Sequence, residues 1–92
     1  MKISLTERFQ RDIRDLDRQR QATVFEVVLA LPRAVGEPHV HAGLGIRKLH
    51  RSGIWEGRVG LGLRLIFALE PGLLTLVRVG SHEDVRRYLR DL

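Results

Sequence analysis

Three short glycine-bearing turns in the second half of the chain constrain its fold more than any other feature. Arg51-Ser52-Gly53, Gly60-Leu61-Gly62 and Glu70-Pro71-Gly72 separate four stretches with strand character: Ile46 to His50, Ile54 to Gly60, Leu63 to Leu69 and Leu73 to Val79. Connections of about three residues cannot carry a parallel crossover, so consecutive strands must be antiparallel neighbours. The last two stretches are almost continuously apolar, as expected of strands covered on both faces or lying in the middle of a sheet.

The first half follows a different period. Ser4 to Glu7 reads as a capping box, and Leu5, Phe9, Ile13 and Leu16 then recur at helical steps with charged residues between them. The stripe breaks around Asp17 to Arg20. A second one, Ala22, Phe25, Val28 and Leu29, runs to Pro32. This pattern predicts an antiparallel pair of helices, or one kinked helix, followed by a loop from Pro32 to Gly45. After Gly80, Ser81 can cap a final helix with Val85, Tyr88, Leu89 and Leu92 on one side. The expected fold class is therefore α+β, in a single domain over residues 1–92. An N-terminal helical hairpin packs on a twisted antiparallel sheet of about four strands, with a short C-terminal helix.

Composition narrows the chemistry. With no cysteine among 92 residues, disulfides, thiolate metal sites and cysteine nucleophiles are excluded. No apolar run approaches the roughly 20 residues of a membrane span and no signal-peptide pattern is present, so a cytoplasmic protein is expected. The formal charge is +5, and residues 46–92, with nine basic and five acidic side chains, hold most of it. Fourteen of the sixteen cations are arginines, whose planar fork matches phosphate oxygens. An anionic partner, nucleic acid or an acidic protein segment, stands against an arginine-rich but merely solvating surface.

Two of these arginines interrupt strands. Arg64 sits within Leu63-Arg64-Leu65-Ile66-Phe67, and Arg58 within Trp55-Glu56-Gly57-Arg58-Val59. A three-residue loop at Gly60-Leu61-Gly62 would pair Val59 with Leu63 and set Arg58 opposite Arg64 on one face. A two-residue loop would put the arginines on opposite faces. Like charges directly across a ladder repel, so the first arrangement calls for an anion between them or for neutralising acids such as Glu56. The return of the following strand brings His82 towards Arg64, and an imidazole beside arginines suits proton transfer at a phosphodiester. His39-x-His41 with His50 matches no metal-ligand spacing, so no metal or other cofactor is expected. Gly60-x-Gly62 is a turn and not a phosphate loop.

The run Leu49-x4-Ile54-Trp55-x2-Arg58-Val59-x4-Arg64-Leu65-Ile66-Phe67, followed by Val79-Gly80-Ser81-His82, resembles the RelE/ParE toxin superfamily of bacterial type II toxin-antitoxin systems. It is most similar to the YoeB and HigB-type members, over about residues 44–88. The resemblance implies a ribosome-dependent, metal-independent mRNA endoribonuclease in which the ribose 2′-hydroxyl attacks the adjacent phosphate to leave a 2′,3′-cyclic phosphate. Carried onto this chain, Arg64 stabilises the developing charge, Arg58 contacts phosphate and His82 protonates the leaving 5′-oxygen. Lys48 and Arg51 are further RNA-binding candidates. YoeB-like toxins place a glutamate base where this chain has Gly45 or its neighbours, and an aromatic where it has Glu83. Glu56 and His50 (with Lys48 as a further candidate) are therefore the alternatives for a general base. Tyr88 corresponds to a substrate-stacking tyrosine or serves the core. The implied partners are mRNA on the ribosome and a cognate acidic antitoxin. A ParE-like inhibitor of DNA gyrase and an inactive antitoxin-binding relative are the alternative functions on the same fold.

Overall fold

The structure, a computed structural model, describes residues 1–34 and 43–92. Along the chain run β1 (Lys2–Leu5), α1 (Glu7–Arg14), α2 (Arg18–Ala34), β2 (Arg47–His50), β3 (Ile54–Val59), β4 (Leu63–Glu70), β5 (Leu73–Gly80) and α3 (His82–Arg90). The expected α+β architecture is present, with one strand more than the turns announced. The sheet is five-stranded in the order β1-β5-β4-β3-β2. β2 to β5 form the antiparallel meander, and β1 lies parallel to β5 with Ser4 beside Thr75.

β1 displaces the expected capping box. Ser4 is a strand residue, and Thr6 caps α1 by accepting from the Phe9 amide at 3.0 Å. Residues 2–5 gain ladder bonds along the edge of β5, a partner that no local pattern could reveal. Thr6 also ties the two elements together. Its amide donates to the Leu76 carbonyl at 3.1 Å and its hydroxyl to the Val77 carbonyl at 2.9 Å. Thr6→Val removes both hydroxyl bonds while keeping the shape, and should cost about 1–2 kcal/mol in urea unfolding.

Val77 is itself a bulge. The β4–β5 register pairs Phe67 with Leu76 but Ile66 with Arg78, so Val77 is the extra residue. Strict alternation through Leu74 and Leu76 would aim Arg78 at the core. The bulge gives that position to Val79, which is buried, and turns Arg78 to the face of Ile66.

One cluster joins Phe9 of α1 and Val24, Val27, Val28 and Leu31 of α2 to Val59, Leu65, Phe67, Leu74, Leu76 and Val79 of the sheet. The buried stripe of α2 differs from the expected one, since Ala22, Phe25 and Leu29 are exposed while Val24, Val27 and Leu31 are buried. Apolar residues surround much of this helix, so docking selects the face. α2 also continues past Pro32 to Ala34, because the full burial of Leu31 and Ala34 supports the final turn. The expected Pro32–Gly45 loop otherwise falls largely on residues outside those described.

α3 packs against β4 and β5, where Ile66 and Val85 are buried outside the main cluster. Leu92 lies beyond its end and is exposed, contrary to the expected stripe. No helix of the described residues is long and apolar enough to cross a membrane.

Candidate anion-binding site

The hairpin between β3 and β4 has the three-residue loop, with Val59 opposite Leu63 and Arg58 opposite Arg64. Val59 and Leu63 belong to the helix-side cluster, so alternation sends Arg58 and Arg64 to the other face of the sheet. Arg58 is exposed and Arg64 half-buried. Among the described residues neither guanidinium group has an ion-pair or hydrogen-bond partner. Directly opposed like charges across a ladder are destabilising. An anion placed between them would remove that cost.

Glu56, the alternative neutraliser, is engaged by another arginine. It is only 3% exposed. One carboxylate oxygen accepts from Arg47 Nε at 2.8 Å, and the other, Oε2, has no partner among the described residues. Arg47 lies opposite Glu56 across β2 and β3, and therefore shares the face of Arg58 and Arg64.

Lys48 pairs with Trp55 and so falls on the opposite face, with its ammonium 5.9 Å from the indole centre. Sequence reasoning selected Lys48 and missed Arg47, because one residue of strand register separates the two faces.

Arg58 rests against Gly45. A Cβ at Gly45 would stand 3.0 Å from Arg58 Cζ and 3.1 Å from Cδ, and Gly45 also holds a φ of +61°. A side chain at position 45 would thus push Arg58 away from its place beside the strand. Both its absence of a side chain and its left-handed backbone serve the site.

His82 enters the same region through β5. Gly80 pairs with Arg64, and His82, exposed, opens α3 two residues later. The intervening Ser81 is the helix cap. Its hydroxyl accepts from the Asp84 amide at 3.2 Å, and Asp84 Oδ2 accepts from the Ser81 amide at 2.9 Å and hydroxyl at 3.0 Å. The Ser81 amide, more than any other group, holds the Asp84 carboxyl below its ordinary pKa, aided by the Ser81 hydroxyl, Arg78 and Arg87 against the opposing effect of burial. A carboxyl lowered on folding stabilises above its unfolded pKa, and that contribution is lost as pH falls through the folded value. Below about pH 4 wild-type stability should therefore fall more steeply than that of Asp84→Asn. Urea midpoints collected across pH 2–6 would check the difference in slope.

The other expected residues are dispersed. His50 and Arg51 are exposed at the far end of β3, where His50 lies opposite Ile54, about 13 Å along the strand from Arg58. His50 Nδ1 is instead 2.6 Å from Ser52 Oγ. Tyr88 is half-buried on α3. His39 and His41 lie outside the described residues, and among the described ones no group of three or more metal-ligating side chains forms. Sequence reasoning also missed Arg78, which is 17% exposed and bound to Asp12 of α1.

The arrangement offers two unneutralised guanidinium groups, a buried carboxylate with one free oxygen on their face, and an imidazole at the adjoining strand end. Those are groups that can bind phosphate and move protons.

No protein-family model matches the sequence, and no curated protein matches it. Solved structures do match by fold. YafQ of Escherichia coli is 19% identical with a TM-score of 0.72, covering 90% of this chain and 94% of its own. An archaeal RelE in complex with RelB, from Pyrococcus horikoshii, is 14% identical with a TM-score of 0.70, covering 87% and 92%. A metal-bound toxin from Helicobacter pylori is 21% identical with a TM-score of 0.67, covering 92% and 98%. Likenesses that run along almost the whole of each chain show that this chain has the fold of the RelE and YafQ toxins.

Proposed function

We propose that this chain is the toxin of a toxin-antitoxin module and a ribosome-dependent, metal-independent mRNA endoribonuclease, nearest in type to YoeB and HigB. The observation that carries the reading is the opposed pair Arg58 and Arg64, neither ion-paired with an acid among the described residues, beside the strand end that leads into His82. A solvating surface would disperse such charges or pair them. The fold shared with proteins named as toxins, some of them solved with antitoxins, adds support.

In the proposed reaction the ribose 2′-oxygen loses its proton and attacks the adjacent phosphorus. The bond to the 5′-oxygen breaks, leaving a 2′,3′-cyclic phosphate and a 5′-hydroxyl. Arg58 holds the phosphate, Arg64 neutralises the charge that grows on its oxygens, and His82 gives its proton to the departing 5′-oxygen. Glu56 is favoured over His50 as the base, since it shares the face of the arginines and keeps one oxygen free. That oxygen is buried, so substrate reaches it only if the groups covering Glu56 move. Lys48 and Arg51 bind RNA away from the reacting phosphate, and Tyr88 offers a stacking surface. The proposed partners are mRNA in the ribosome and an acidic antitoxin covering the basic face.

Induced expression followed by mapping of transcript ends tests the reading. Cuts inside translated codons that disappear in His82→Ala support it. Intact transcripts with double-strand DNA breaks would replace it with gyrase inhibition, and unaffected growth would remove both.

A further inference from the structure

The corner between β5 and α3 is held by two carboxylates that approach it from opposite sides. From α1, Asp12 Oδ2 accepts from the Val79 amide at 3.1 Å and from Arg78 Nε at 3.2 Å, while Oδ1 accepts from a terminal Arg78 nitrogen at 3.3 Å. From α3, Asp84 takes the Ser81 amide and hydroxyl. Its carboxylate also lies against Gly80, where an added Cβ would meet Oδ2 at 2.6 Å and Cγ at 3.0 Å. Every residue from Arg78 to Ser81 is thereby clasped, and the next residue is His82.

The Asp12 contact is built in. Its side chain is 9% exposed and that of Arg78 17%, and they join residues 66 positions apart. β1 pairs with β5 only as far as Leu76, so the Val79 amide would lack a ladder partner on that edge without Asp12. The Val77 bulge also delivers Arg78 to this pair. Arg78 is in turn one of the charges that keep Asp84 ionised, which links the two carboxylates.

We infer that Asp12 is a positioning residue for His82: through Arg78 and Val79 it fixes the β5–α3 corner, and so sets the imidazole relative to Arg64, the partner of Gly80. The importance of His82 rests on the nuclease reading, whereas the clamp itself can be measured without it.

The test compares the full chain with Asp12→Ala, Asp12→Asn and Arg78→Lys by amide hydrogen exchange and by the ring resonances of His82. The Val79 amide responds to loss of Asp12 under any account. The deciding groups are the Ser81 amide and the His82 ring, neither of which Asp12 touches. Positioning expects Ser81 to exchange about tenfold faster and the ring resonances to move. Asp12→Asn preserves volume and an acceptor, and Arg78→Lys preserves the charge, so they carry the test where the alanine variant does not fold. Faster Val79 exchange with Ser81 and His82 unchanged would overturn the proposal. Transcript cleavage by the same variants should show kcat reduced about tenfold with KM unchanged, because Arg58 and Arg64 still bind phosphate. A wild type that cuts no transcript, with Ser81 and His82 still responding, would end the nuclease reading and leave the clamp standing.

Discussion

Replacing Arg64 by alanine should lower transcript cleavage about 10²- to 10³-fold, the loss typical when one preorganised donor to a developing oxyanion is removed. The same change should leave stability unchanged or raise it slightly. Arg64 has no ion-pair partner among the described residues, and it faces Arg58 directly, so its removal relieves a like-charge repulsion. Loss of activity with an unchanged or higher urea midpoint would separate a catalytic cation from a structural one. Arg64→Lys should recover only part of the rate, because an ammonium keeps the charge but not the two-pronged geometry of the guanidinium. Cleavage that persists at the wild-type rate in Arg64→Ala would remove the centre of the proposed mechanism.

Phe67→Ala should produce the largest loss of stability, about 3–5 kcal/mol in urea unfolding at constant pH. Phe67 is fully buried on β4, between Trp55 of β3 and Leu76 of β5, and belongs to the cluster shared with both N-terminal helices. Its removal leaves a cavity in the middle of the sheet, where neighbouring strands cannot close in. Small domains are stabilised by only about 5–15 kcal/mol, so a substantial fraction of the margin is lost. Leu29→Ala is the contrast. Leu29 is 76% exposed, and its truncation should stay within about 0.5 kcal/mol of wild type. A comparable loss at the two positions would contradict the assigned core.

From sequence alone these two side chains look alike, each an apolar residue in an apolar run. The amphipathic pattern of α2 is ambiguous because Phe25 and Leu29 form as good a helical pair as Val24 and Val28. Which pair is buried depends on how the helix docks. Much of the candidate site was nevertheless legible. The two arginines stood out because packing would select aliphatic residues there, and strand parity reduced their placement to two registers, one face or opposite faces; the three-residue loop of the folded hairpin chose the first. Arg47 was not legible, because a short, polar β2 has no apolar alternation to mark its faces. Arg78 was hidden by the bulge at Val77, which changes strand phase and leaves no mark in local composition.

The sequence by itself determined the helical and strand periods and the antiparallel meander, which depend on neighbours within a few residues or on short turns, while the folded β3–β4 hairpin chose which of two registers the arginines take. Tertiary structure decided the parallel pairing of β1 with β5, the buried face of α2, the engagement of Glu56 by Arg47 and the joining of Asp12 to Arg78. Each of these depends on groups brought together from separate parts of the chain, where burial and hydrogen bonding outweigh local preference.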